Sequence, residues 1–325
     1  MQFLLILAIF HVEDLIVRSV SVQADSPDLY LARVDFLAIT PGHLFCGSRR
    51  DPFLTVLDLD LKVTGRLGNA GSGPGEFSTG LFSVQAENNH LFVQTLAKRN
   101  QIMHFYDGKF VDFIPLIEPI PQAWPSPGFT VDLDQDILVV PALGNRRNLA
   151  DVYSLTEKSE PQSIGVAPVG RDQMEIIEAN PFINETLWRK ASGYWWAFFR
   201  YRKEVIRFQP DFSDPQTFAL VHPAFDRFQE IERTTIINNK AIQDTQYFTC
   251  VQVFQDQCWI LSGPFLLRLN SEGKITGTYR ILMEAEYGER KPYNFFLFAI
   301  LPGGKILLSN PMGVEGQDFA QGQLP

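Results

Sequence analysis

Four short basic clusters are the residues best suited to chemistry with an anion: Arg49-Arg50, Lys98-Arg99-Asn100, Asn145-Arg146-Arg147-Asn148 and Arg200-Tyr201-Arg202-Lys203. A guanidinium fork matches carboxylate, phosphate or sulfate with two parallel hydrogen bonds. Trp195, Trp196 and Tyr201, beside the last cluster, could stack on a planar or sugar ligand. A competing use for any one of these cations is structural, tying one part of the fold to the next.

Other reactive groups are sparse. Asp132 and Asp134 form a close acidic pair, and at i, i+2 on a strand they share one face. Two carboxylates alone do not complete a divalent-metal site, so no metal and no cofactor is expected. The five histidines, His11, His43, His90, His104 and His222, are scattered and never form His-Glu-x-x-His. The three cysteines, Cys46, Cys250 and Cys258, lack zinc-ligand spacing and read as buried apolar residues. Cys250 and Cys258 fall on opposite arms of one hairpin, out of register for a bridge.

A third candidate is Gly65-Arg66-Leu67-Gly68-Asn69-Ala70-Gly71-Ser72-Gly73-Pro74-Gly75-Glu76-Phe77, with five glycines in thirteen residues. Gly68 and Gly73 have the spacing of a P-loop, but Pro74-Gly75 stand where Lys-Ser/Thr would be needed. A dinucleotide loop also opens a helix, whereas Leu81-Phe82-Ser83-Val84 reads as a strand. The segment is therefore a turn that uses positive φ and a fixed proline.

The elements that position these residues emerge from a repeat. A short apolar segment behind a polar turn recurs at Leu44-Phe45-Cys46, Leu91-Phe92-Val93, Ile137-Leu138-Val139, Tyr194-Trp195-Trp196, Cys258-Trp259-Ile260 and Lys305-Ile306-Leu307. Its spacing of roughly 46 to 65 residues lies near that of propeller blades. A strand precedes each copy, and a third strand follows the first five, such as Leu54-Thr55-Val56-Leu57 or Leu266-Leu267-Arg268-Leu269. Short strands with regular turns and little helical periodicity predict an all-β fold, here a six-bladed β-propeller. The tail after Ile306 cannot furnish two outer strands, so the alternating segment Leu15 to Val22 is expected to join the last blade and close the ring.

Residues 65–115, from Gly68-Asn69-Ala70-Gly71-Ser72-Gly73-Pro74-Gly75-Glu76-Phe77 through Arg99-Asn100 to Phe105-Tyr106-Asp107-Gly108-Lys109, resemble an NHL repeat. The chain as a whole resembles NHL/TolB-like bacterial six-bladed propellers, which are often exported or lipid-anchored and largely of unassigned function. No lipobox cysteine is present near the start of the sequence. The resemblance implies a basic residue in each second-to-third-strand loop that helps tie adjacent blades. It also implies, for the relatives that are lyases or lactonases, a metal held in the channel.

The basic clusters occupy those loops in four successive units, which a propeller brings to one face. The long connections at 170–190 and 222–246 belong to that face too, with short helices expected at Met174-Glu175-Ile176-Ile177-Glu178 and Phe225-Asp226-Arg227-Phe228-Gln229-Glu230-Ile231. The expectation is a non-catalytic binding protein that receives an anionic small molecule, glycan or acidic protein segment on Arg49, Arg50, Lys98, Arg99, Arg146, Arg147, Arg200, Arg202, Trp195 and Trp196. The alternative is a lyase or hydrolase with a metal site at the channel mouth.

Composition sets outer bounds. With 325 residues, 45% hydrophobic and 20% charged, the chain is globular. A formal charge of −9 argues against general nucleic-acid binding. The run Phe3-Leu4-Leu5-Ile6-Leu7-Ala8-Ile9-Phe10 is too short to span a bilayer. It resembles a signal h-region, with Val22-Gln23-Ala24 as a cleavage site before Asp25, although no Lys or Arg precedes it and His11-Val12-Glu13-Asp14 interrupts the path. Residues 1–24 are thus expected to hold a signal-like segment and the closing strand, and 25–325 a single six-bladed propeller domain. A periplasmic or secreted location and a cytoplasmic one stay equally open.

Overall fold

In the computed structural model, the residues described are 12–22, 34–78, 80–117, 120, 128–142, 147–157, 159–168, 183–225, 246–285, 288–309 and 319–325. The recurrent apolar segments all form strands: β3 (Leu44–Gly47), β7 (His90–Thr95), β11 (Ile137–Pro141), β15 (Tyr194–Phe199), β19 (Gln257–Ser262) and β24 (Lys305–Ser309). Each is the second strand of an antiparallel meander. Sheets on both sides cover it, so it is apolar on both faces and shows no alternation.

The first sheet is β2 (Phe36–Ile39), β3, β4 (Leu54–Leu57) and β5 (Val63–Leu67), and the second β6 (Leu81–Glu87), β7, β8 (Gln101–Tyr106) and β9 (Lys109–Pro115). The third is β10 (Thr130–Asp132), β11, β12 (Ala150–Ser154) and β13 (Gln162–Ile164), and the fourth β14 (Thr186–Ala191), β15, β16 (Glu204–Phe208) and β17 (Gln216–Ala219). A larger sheet runs β18 (Cys250–Phe254), β19, β20 (Phe265–Leu269), β21 (Ile275–Glu284), β1 (Glu13–Val20), β25 (Phe319–Gln323), β24, β23 (Leu297–Ile300), with β22 (Arg290–Pro292) beside β21. The tail therefore supplies one strand of its own, β25. Against it lies β1, antiparallel from Arg18↔Gln321 to Val20↔Phe319, while β1 runs parallel to β21 from Glu13↔Tyr279 to Arg18↔Glu284.

First strands are the inner ones. β2 contacts β6, β6 contacts β10, β10 contacts β14, β14 contacts β18, β18 contacts β23, and β23 returns to β2. Apolar clusters fill the wedges between neighbouring sheets, such as Val139, Leu149, Trp188, Trp195 and Phe208 between the third and fourth. The helical content among the described residues is two short 3-10 turns, Pro223–Phe225 and Pro302–Gly304. The segment Met174 to Glu178 lies outside the described residues, as does the expected second helix beyond Phe225.

The glycine-rich joint between the first two sheets closes on itself. Phe77 is fully buried, edge-on to Phe105 at 6.2 Å, and its amide donates to Asn69 O at 2.7 Å. Gly68 has φ +83°, and a Cβ there would lie 2.5 Å from the Phe77 ring. The Glu76 carboxylate turns back to accept from Gly73 N at 2.8 Å, and a Cβ on Gly71 would strike it at 2.0 Å. The loop's own carboxylate thus takes up the Gly73 amide and the space beside Gly71.

Candidate functional site

Because strands in a meander reverse at each turn, second-to-third-strand loops and first-to-second-strand turns lie at opposite ends of the sheets. The basic clusters are at the first end, and several of their cations are committed within the protein. Arg200 and Glu185 form a fully buried ion pair, with Arg200 Nη1 2.7 Å from Glu185 Oε1, and Nη2 donates to Gln246 Oε1. Burial holds the Glu185 carboxyl above the usual carboxylate range, outweighing the opposing effect of Arg200. Arg202 pairs with Glu204 at 2.7 Å, Lys98 Nζ donates to Ser72 O at 3.1 Å in the glycine-rich joint, and Arg49 lies 5.8 Å from the Phe82 ring of the next sheet. Arg99 is half-buried and Arg146 lies outside the described residues, while Arg50 and Arg147 are exposed.

Trp195 and Trp196 do not form the expected stacking platform. Consecutive strand residues point to opposite faces, and both faces of β15 are covered. Trp195 enters the core toward the third sheet and donates Nε1–H to Gln135 Oε1 at 3.1 Å. Trp196 enters the core shared with the larger sheet and donates to Ala191 O at 3.2 Å. Both rings are fully buried, and so is Arg200.

At the opposite end, four successive inner strands open into a cavity of about 400 Å³ at the channel mouth. Its polar lining comes from Gln85 and Glu87 on β6, Thr130 and Asp132 on β10, Asp134 in the next turn, Arg189 and Lys190 on β14, Gln252 on β18 and Asp256 in its hairpin. The hairpins are tight because Ser192 (φ 53°), Gly193 (φ 74°), Gln255 (φ 50°) and Asp256 (φ 57°) all adopt the left-handed region, as two-residue turns of type I′ require.

Polar contacts stitch the sheets around this mouth. Leu133 N donates to Glu87 Oε2 at 2.9 Å, and Lys190 pairs with the buried Asp132, which also accepts from Gln135 N at 3.1 Å. Arg189 donates through Nε to Val251 O at 2.7 Å and through Nη1 to Trp188 O at 2.6 Å and Thr130 Oγ1 at 3.3 Å. Ser192 Oγ donates to Asp256 O at 2.7 Å. Asp132 and Asp134 both line the cavity but do not share a strand face as expected, because β10 ends at Asp132, Asp134 lies in the turn beyond it, and Asp132 is paired with Lys190. No group of three or more His, Cys, Asp or Glu suited to a metal ion occurs among the described residues.

Glu87 is strongly perturbed. Burial pushes its carboxyl from an ordinary 4.5 up to about 7, Asp132 and Asp134 push the same way, and the Leu133 amide and Lys190 oppose them. A raised carboxyl pKa means the folded state binds the proton more tightly, so this stability is complete below about 4.5 and lost as pH rises through 7. Glu87→Gln should flatten that dependence and raise stability above pH 7 by about 1–2 kcal/mol, discounted for partial exposure. Thermal melts of both proteins from pH 5 to 8 measure this; parallel curves would contradict it.

Thiol and imidazole chemistry lies elsewhere. All three cysteines are buried outside any disulfide, and burial pushes Cys258 up to about 12 and raises Cys250. His90 and His104 share a hydrogen bond of 2.7 Å on the second sheet, and His104 meets Asp112 at 3.1 Å. His222 is buried, 2.9 Å from Thr278 Oγ1. Sequence reasoning missed Glu87, Arg189, Lys190 and Gln252. Their signal is positional, since Glu87, Arg189 and Lys190 lie toward the end, and Gln252 in the middle, of strands that precede a recurrent apolar segment.

No family model matches the sequence, and no curated protein does. Among solved structures, the chain is similar to a member of the DUF4221 family from Bacteroides vulgatus, at 9% identity and a TM-score of 0.57, over 96% of each chain. It is similar also to a putative exported protein from Bacteroides fragilis, at 10% identity and a TM-score of 0.50 over 94% of each chain. The WD40 repeats of RRP9 align at 9% identity and a TM-score of 0.51, over 91% of this chain and 81% of that one. At such identities the likeness is one of fold, and the fold is an all-β propeller.

Proposed function

We propose that the chain is a non-catalytic binding propeller of six NHL-like blades, which receives a small ligand at the channel mouth on the hairpin-turn face. The count of six treats the larger sheet as two blades, β18–β21 and β23–β25 with β1, joined edge to edge. The closed order of inner-strand contacts supports it. The glycine-rich joint, with Phe77 as its anchor, supports the NHL-like reading. The observation that carries the function is the cavity itself, walled by side chains from β6, β10, β14 and β18. Its volume is within the range of small-molecule sites.

A second reading keeps an anionic small molecule, glycan or acidic protein segment on the basic loop face, and the exposure of Arg50 and Arg147 favours it. One comparison separates the two. Compounds that raise the melting temperature in a screen should lose their effect in Gln85→Ala and Asp134→Ala and keep it in Arg50→Ala/Arg147→Ala. The reverse pattern would move the site to the loop face.

A further inference from the structure

We propose that the channel-mouth cavity takes a small organic cation, an ammonium or guanidinium compound, anchored on Glu87 with Asp134 as its outer partner. This rests on the cavity being the binding site. Four carboxylates, Glu87, Asp132, Asp134 and Asp256, line it against two cations, Arg189 and Lys190. Lys190 is neutralised by Asp132, and Arg189 is turned onto the Trp188 and Val251 carbonyls and the Thr130 hydroxyl. Arg189 keeps its charge on those neutral acceptors, so the carboxylates of Glu87, Asp134 and Asp256 outnumber the one remaining cation and leave the lining net negative when Glu87 is ionised. Since no lining set among the described residues is gathered as metal ligands, a larger, diffuse cation suits the spacing better than a bare divalent ion. Ala86, Val131, Ala191 and Val253 supply apolar wall for an alkyl stem.

Glu87 makes this site responsive to pH. The charged groups acting on it are Asp132 and Asp134 from β10 and its turn and Lys190 from β14. Arg189 and Asp256 share the cavity, and His90 stands opposite Glu87 in the β6–β7 register. The carboxyl holds its proton up to about pH 7, and a bound cation favours the ionised form. Binding should therefore tighten as pH rises, and below pH 7 it should release a proton.

Agmatine is a suitable probe, because both of its charges persist from pH 6 to 8. Calorimetric titration should give affinity about tenfold higher at pH 8 than at pH 6, with a binding enthalpy at pH 6 that depends on the buffer's ionisation heat. Glu87→Gln should lower affinity at pH 8 by about tenfold or more and abolish the pH dependence, while Asp134→Asn should weaken binding and keep it. Undiminished binding to Glu87→Gln would overturn the anchor. Glutarate and calcium chloride are the contrasting arms. Saturable binding of either in place of agmatine, lost in Gln85→Ala, would overturn the ligand class and leave the cavity as the site. Silence from all three would overturn the class and remove support for the site as well.

Discussion

Alanine at Glu185 should destabilise the protein by about 3–5 kcal/mol, because it removes the buried carboxylate that pairs with the fully buried Arg200 guanidinium. The pair sits where three segments converge. Arg200 N donates to Glu185 O at 3.0 Å, Tyr247 N donates to Arg200 O at 2.7 Å, and Gln246 Nε2 donates to Tyr201 Oη at 3.3 Å. Removing the carboxylate thus disturbs the approach to β14, the end of β15 and the approach to β18 together. Arg200→Met alone should be costly too, since it strands a carboxyl that burial already disfavours. The double change Glu185→Leu/Arg200→Met should cost far less than the sum of the single ones, because it removes both desolvated charges at once. Urea denaturation followed by tryptophan fluorescence measures all three. Additive losses would mean that the two side chains do not act as a pair.

The same pair explains what could be read from the sequence and what could not. Second strands were legible because burial on both faces makes each a continuous apolar run, from Leu44-Phe45-Cys46 to Ile306-Leu307-Leu308. The loop positions of Arg49, Lys98 and Arg200 followed from that register. The direction of each side chain did not, since it depends on a partner remote in sequence: Glu185 for Arg200, Ser72 for Lys98, Phe82 for Arg49. Trp195 and Trp196 could have been placed by strand alternation alone, which sends adjacent residues into different cores when a strand is central. The cavity stayed hidden for another reason. Inner strands mix apolar residues facing the wedges with isolated polar ones facing the cavity, from Thr130 at the start of β10 to Gln252 in the middle of β18, so Glu87 and Lys190 look like ordinary hairpin-flanking charges.

Shortening the chain to begin at Asp25 should have the largest effect, because it deletes β1 and bares two strand edges, β21 and β25, in one step. Leu15 and Val17 are buried with Ile281, Phe298 and Ile306, and each such side chain contributes about 1.5–3 kcal/mol. The ladders on both sides of β1 add to that, as do Arg18 with Glu284 at 2.6 Å and Arg280 with Asp14 at 2.8 Å, although exposed pairs of this kind add little. A loss of about 5 kcal/mol or more is comparable with the whole stability of a domain. The shortened chain should unfold or associate through its open edges, which circular dichroism melts and size-exclusion chromatography would reveal. A peptide of residues 12–22 added in trans should restore the melt, and the same peptide with Asp at the position of Val17 should not. A shortened chain that stays monomeric and as stable as the full one would show that β1 is dispensable. The two readings of the first 24 residues therefore exclude one another in the folded protein, since a segment cleaved before Asp25 cannot remain covalently in place between β21 and β25.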